Sequence, residues 1–127
     1  MLDIWIGPGG HIDECEGIEE ALLREVYEEV GITKLTFFCP TPLKTLGTVK
    51  TVRIPNFIEV YVIPENEITQ REHEHINLVY YAKTTQSKLT IATAEHHDIG
   101  WFTINEAKKL KTDKATIYHM REVLKRL

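Results

Sequence analysis

Cysteine is nearly absent: the 127 residues hold two, Cys15 and Cys39. Two thiols cannot build the disulfide framework of a small secreted domain, so free thiols in a reducing cytoplasm are expected. Positive charge is not in excess either. Lys and Arg number 15 against 19 Asp and Glu, for a formal net charge of -4, which argues against a sequence-independent nucleic-acid binder. No apolar run approaches the roughly 20 residues that span a bilayer. The opening "MLDIWIG" lacks the basic start and apolar core of a signal peptide. Internal repeats, low-complexity tracts and linkers are missing as well. What remains is 43% hydrophobic and 27% charged, ordinary for a globular protein and enough for one core. The length predicts a single domain over 1–127.

The chain reads as alternating short elements. "LDIWI" (2–6) predicts a strand, and "GPGG" (7–10) a loop. Ile18, Leu22, Val26 and Val30 recur every four residues and Gly31 follows, predicting a helix from Ile18 to Val30. Strands are predicted at 34–39, 43–52, 57–63, 88–93 and 98–103. "INLVYYA" (76–82) is almost wholly apolar, as a strand covered on both faces would be. Thr103 and Glu106 have capping-box spacing, opening a short helix to about Leu110. Ile117, Met120, Val123, Leu124 and Leu127 form the stripe of a last amphipathic helix, expected to be core. The order suits a mixed sheet with helices on both faces.

Negative charge is concentrated in one place. Between Gly9 and Ile32 lie Asp13, Glu14, Glu16, Glu19, Glu20, Glu25, Glu28 and Glu29 against a single Arg24. At about 100° per residue, Glu25, Glu28 and Glu29 share an arc roughly 100° wide beside the apolar stripe. They are expected to flank the core, with Glu20, Arg24 and Tyr27 on the solvated side. Glu19 and Glu20 sit in the first turn, where the helix dipole favours anions. Glu25, Glu28 and Glu29 sit near the other end, where dipole and like-charge spacing each cost a few tenths of a kcal/mol. Compensation comes from a protein cation or a bound metal, and clustered carboxylates suit the hard ions Mg²⁺ or Mn²⁺. A solvated acidic face is the plainer alternative. "GPGG" is not a Walker loop, because no Gly-Lys-Ser/Thr follows. "DECEG" is not an EF-hand, because Cys15 stands where an oxygen ligand belongs.

The residues from Gly10 to Ile32 also follow a known pattern: Gly, five residues, Glu, seven residues, Arg-Glu-apolar-x-Glu-Glu-x-Gly-apolar. Gly10, Glu16, Arg24, Glu25, Val26, Glu28, Glu29, Gly31 and Ile32 meet every fixed position. This resembles the Nudix box of the Nudix hydrolases, and "WIGPGG" and "EHHDIGWFT" extend the likeness. The resemblance implies an α/β fold, the Nudix α/β/α sandwich with a mixed sheet. It implies Mg²⁺-dependent hydrolysis of a diphosphate linkage in a nucleoside diphosphate joined to another group, with Mn²⁺ as a substitute ion. Glu25, Glu28, Glu29 and the Gly10 carbonyl would hold metal. Glu16 and Arg24 would orient those ligands, Arg24 by bidentate contact. A surface ion pair is the alternative for Arg24.

The general base is open at this stage. The resemblance points to Glu95, in a loop before a late Trp-bearing strand, as base or extra metal ligand; Glu72, Glu74, Glu28 and Glu29 compete with it, and an ordinary loop carboxylate is the plainer alternative. "HEH" (73–75) would put His73 and His75 on one side of a strand, but with no third ligand evident a loop leading into a strand is preferred over zinc. His96 and His97 neighbour Glu95 and are candidate substrate contacts. Trp5 and Trp101 read as core or rim packing, with base stacking as the alternative.

One departure from the family pattern stands out. Two strands usually precede the box, and here only "MLDIWI" does. One or two N-terminal strands are therefore expected to be missing from the sheet. Unpaired edges would favour a homodimer. The competing function is a Nudix-fold binding or regulatory module, or an inactive truncated form. The intact box favours the enzyme.

Overall fold

The computed structural model of the chain describes residues 4–40, 45–65, 71–91 and 98–127. By contact density the chain divides into two units, one of residues 1–35 and 84–127, the other of residues 36–83.

The first unit is helical. Helix α1 (Ile18–Val30) has the expected bounds. Ala21 and Val26 are buried on it, and Ile32 just beyond it. Helix α2 (Ile104–Ala107) opens on the expected capping box: Glu106 N–H donates to Thr103 Oγ1 at 3.2 Å and Thr103 N–H to Glu106 Oε2 at 2.9 Å. Helix α3 (Lys114–Leu124) is capped by Asp113, whose Oδ1 accepts from Thr116 N–H at 2.7 Å. Its apolar stripe is not the expected core. Ile117, Met120 and Val123 are half-buried, while Leu124 and Leu127 are exposed. In place of a strand over 2–6, the described part shows a single parallel bridge from Trp5 to Thr112. Trp5 N–H donates to Lys111 O at 2.8 Å, and the indole packs edge-on against Phe102 at 5.0 Å. Trp5 is thus packing, as expected. Trp101 is exposed, its Nε1–H donating to Ser87 O at 2.9 Å.

The second unit is made of antiparallel pairs. Strand β1 (Thr36–Phe37) pairs with β4 (Ala82–Lys83), and β2 (Phe57–Ile63) pairs with β3 (His73–Val79). The predicted strand at 34–39 shrinks to β1. In 43–52, the described part holds a tight turn closed by Leu46 and Val49, with Gly47 at φ 60. A left-handed residue folds the chain back on itself, which glycine does at no steric cost. The apolar run 76–82 is broken at Tyr80–Tyr81 and is not covered on both faces. Opposite pairs Ile58–Leu78 and Val60–Ile76 share one face of the ribbon. On that face Ile76 is 72% exposed and Ile58 68%.

Asn56 accounts for the break. Its Oδ1 accepts from Tyr81 N–H at 2.8 Å, its own N–H donates to Val79 O at 2.8 Å, and its Nδ2 donates to Phe38 O at 3.4 Å. A side-chain amide thus links the two ladders where the main chain leaves one for the other. Tyr81 beside it is buried. Within 88–93 and 98–103, no described residue joins a strand. Among the described residues, no helix is long and apolar enough to cross a membrane.

Candidate active site

Helix α1 carries the acidic pattern, and both of its ends are fixed locally. Gly17 stands extended before it and receives the first helical bond, Ala21 N–H to Gly17 O at 2.9 Å. Gly31 ends it at φ 74, donating to Tyr27 O at 2.9 Å. That is the left-handed cap for which glycine is the usual residue. The helix therefore stops just after Glu28 and Glu29.

The chain ahead of the helix folds back over it. A turn at Glu14–Cys15, with Cys15 at φ 62, is closed by Glu16 N–H to Asp13 O at 3.1 Å. It delivers Glu16 onto Arg24. Arg24 Nε donates to Glu16 Oε2 at 2.7 Å and Nη2 to Glu16 Oε1 at 2.9 Å. This two-pronged bond matches a planar fork to a planar carboxylate. Nη1 donates to Glu25 Oε1 at 2.8 Å and to Glu28 Oε2 at 3.2 Å. Nη2 also donates to the His11 carbonyl at 3.0 Å and lies 3.4 Å from Asp13 Oδ2. One guanidinium thus joins the loop to the helix and meets four carboxylates.

The helical wheel placed Arg24 on the solvated side, and that expectation is wrong. Its side chain is 26% exposed, with Glu16 at 14% and Glu25 at 17%. A wheel sees only the helix, not the loop that returns to cover it. The expectation for Glu25, Glu28 and Glu29 holds, since all three are half-buried. The pairing shows in the proton affinities. The hydrogen bond from Arg24, more than any other cause, holds Glu16 below the usual carboxylate range against the opposing effect of burial. Arg24 in turn is pushed further above its ordinary value, first by its bond to Glu16 and then by its bond to Glu25.

The glycine loop meets the same cluster. A Cβ on Gly10 would collide with the Glu25 carboxylate, so only glycine lets the backbone come this close. Gly9 N–H donates to Glu29 Oε2 at 2.9 Å. Sequence reasoning missed Asp13, the His11 carbonyl and the Gly9 N–H as partners. Their position in the acidic run was the only available signal. Glu72 and Glu74 belong to the other unit, both exposed, with Glu74 on β3. Glu95, His96 and His97 lie outside the described residues.

The donor set is chemically right for a hard divalent cation: carboxylate oxygens, with backbone oxygens close by. Among the described residues, however, no three acidic, imidazole or thiolate groups are gathered as a metal site. Glu25 and Glu28 are turned to Arg24, and Glu29 to the loop.

Comparisons with known proteins bear on the family and the fold. A family model described as "NUDIX domain" matches residues 2–124. No curated protein matches the chain significantly. Among solved structures, it is similar to the crystal structure of a hydrolase of the NUDIX family from Clostridium perfringens. The two are 24% identical with a TM-score of 0.68, over 91% of this chain and 77% of that one. At that identity the likeness shows the fold, and the fold is the expected α/β Nudix fold. With the family model running over nearly the whole chain and every fixed position of the box filled, the chain belongs to the Nudix family.

Proposed function

We propose that this chain is an Mg²⁺-dependent hydrolase, with Mn²⁺ as a substitute ion, that cleaves a diphosphate linkage in a nucleoside diphosphate joined to another group. The observation that carries this reading is the convergence of Glu16, Glu25 and Glu28 on Arg24, with Gly10 against Glu25. A merely solvated acidic face has no need to draw a loop and a glycine backbone onto its carboxylates.

Glu25, Glu28 and Glu29, with the Gly10 carbonyl, are the residues that would hold the ion. When bound, the ion reverses the sign of an acidic site, polarises phosphoryl oxygens and lowers the pKa of water. Arg24 is anchored by its two bonds to Glu16, so it can release Glu25 and Glu28 without losing its own place. Glu16 and Arg24 are therefore positioning residues, and they keep the helix and loop in register while the carboxylates change partner. Glu95 is proposed as the general base, with Glu72, Glu74 and the box glutamates as the alternatives. Two further parts of the reading are self-association through the exposed ribbon face of Ile58, Val60 and Ile76, and residence in a reducing cytoplasm, which suits the free thiols Cys15 and Cys39.

The test is a panel of nucleoside diphosphate derivatives assayed for hydrolysis with Mg²⁺, with Mn²⁺ and with excess chelator. Hydrolysis of at least one, lost in chelator and lost in Glu28→Gln, is the expected result. Full activity in chelator refutes the metal assignment. Tight binding of a derivative without turnover assigns the chain to the binding-module class instead.

A further inference from the structure

We infer that His73 and His75 form a two-point chelate for a transition-metal dication of the zinc, nickel or copper class, built on residues other than the carboxylates of the Nudix box. Strand β3 gives the pair its geometry. Residues two apart on a strand project to one face, and here that face carries His73 opposite Ile63 and His75 opposite Tyr61. Both imidazoles are half-buried. Their Nε2 atoms stand 3.1 Å apart. Two imidazole nitrogens bound to one ion at about 2.0–2.1 Å lie roughly 2.9 Å apart at a right angle and about 3.3 Å apart at a tetrahedral one. The observed separation falls between these limits.

Ring orientation agrees. The ring centroids are 4.9 Å apart, farther than the nitrogens, and the planes are inclined at 57°. The Nε2 edges therefore face each other, which two ligands of one ion also require. The remaining nitrogen of His73 is held too. Its Nδ1 lies 3.3 Å from the Arg71 carbonyl. A carbonyl can only accept, so neutral His73 carries its proton on Nδ1 and keeps the Nε2 lone pair free to bind. A backbone acceptor behind the far nitrogen is the usual support of a metal-binding histidine. That lone pair faces His75 Nε2, and an ion held by both rings would take the place of any proton shared between the two nitrogens.

Donor type separates this pair from the box. Imidazole nitrogen selects Zn²⁺, Ni²⁺ and Cu²⁺, whereas carboxylate oxygen suits Mg²⁺ and Mn²⁺. Among the described residues no third acidic, imidazole or thiolate side chain completes the set.

The experiment is calorimetric titration of metal-stripped protein with Ni²⁺ and with Zn²⁺ in excess Mg²⁺, which occupies the carboxylates. Side-chain ¹⁵N spectra of the histidines are recorded alongside. We expect one ion per chain, with the Nε2 signals of His73 and His75 shifting together. His73→Gln and His75→Gln should each weaken Ni²⁺ binding by about tenfold or more, and Glu28→Gln should leave it unchanged. Failure of the wild-type Nε2 signals to move overturns the inference whatever the variants do. Equal uptake by wild type and the His73→Gln/His75→Gln double variant overturns it as well.

Discussion

Gly31 is the position where one methyl group tests the box helix most directly. Its φ of 74 is left-handed, and a Cβ there would run into Thr90 Oγ1 and stand 3.0 Å from the Thr90 carbonyl. Thr90 cannot simply withdraw, because its N–H donates to Val30 O at 3.0 Å at the same helix end. Gly31→Ala therefore carries two costs. The left-handed conformation costs about 1–2 kcal/mol for an L-residue. Overpacking against Thr90 adds about 1 kcal/mol or more. At this chain length a loss of about 2–3 kcal/mol lowers Tm by roughly 10 °C, read by circular dichroism. The costs separate by construction. Thr90→Ala in the Gly31→Ala background removes the hydroxyl but not the carbonyl, so about 1 kcal/mol of coupling is expected from the double-mutant cycle. Gly31→Asn, which tolerates the left-handed region better, should be milder than Gly31→Ala on the conformational part alone. A Gly31→Ala variant melting within about 2 °C of wild type, or a cycle with no coupling, refutes the reasoning.

Glu28→Gln and Glu29→Gln should abolish most hydrolysis and the rise in Tm that Mg²⁺ gives the wild type, which at an ion concentration of 100 times Kd corresponds to about 2.7 kcal/mol; their metal-free stability should be unchanged or higher, and a normal Mg²⁺ shift in either variant counts against the ligand assignment. Glu95→Gln should lower kcat by roughly 10²-fold with a smaller change in KM; a wild-type rate moves the base to Glu72, Glu74 or the box. The Glu16–Arg24 pair predicts a pH dependence: a carboxylate depressed by its partner gives stability that is present above its ordinary range and lost as pH falls through the folded-state value. The acid limb of the Tm–pH curve should therefore flatten in Arg24→Gln, and an unchanged limb would mean the pair contributes nothing there. Val60→Lys with Ile76→Lys should reduce the mass measured by light scattering if the ribbon face self-associates, and an already monomeric wild type removes that part of the proposal.

Where pattern and structure share a cause, the sequence was legible. The helix α1 boundaries follow from an apolar period of four and a glycine stop, both local. Strand β2 was expected at 57–63 and is found at Phe57–Ile63. The short helix at Thr103 follows from a capping box that the side chains do form. The misses have non-local causes. The break between β3 and β4 is held by Asn56, 25 residues before the Tyr81 N–H it accepts from, and an apolar run carries no trace of that. Leu124 and Leu127 continue a helical stripe, but amphipathic spacing cannot say where the covering surface ends. His73 and His75 were expected in a loop leading into a strand, but they lie on strand β3 itself. Only coordinates give the 3.1 Å between their nitrogens, and that distance changes what the pair can do.

Arg24 shows the same limit at the site and also supports the proposal that the site takes a further cation. Its partners were half legible: spacing gives Glu28 at i+4, while Glu16 and Asp13 reach it only because the preceding turn folds back. The resulting count is informative. Arg24 is the only Lys or Arg between Gly9 and Ile32, and it faces the carboxylates of Asp13, Glu16, Glu25 and Glu28. One positive charge against four negative ones leaves the cluster negative, with Glu29 adding to it from the last turn of a helix that has no basic residue there. The dipole at that end has the same sign as the carboxylates. A substrate carrying a diphosphate would meet repulsion from the cluster and helix end alike. Glu16 claims two of the guanidinium's nitrogens and so cannot be relieved by moving Arg24. Glu25, Glu28 and Glu29 are the residues proposed to accept a mobile cation. Their contacts to Arg24 Nη1 and to the Gly9 N–H can be exchanged without unlocking the loop from the helix.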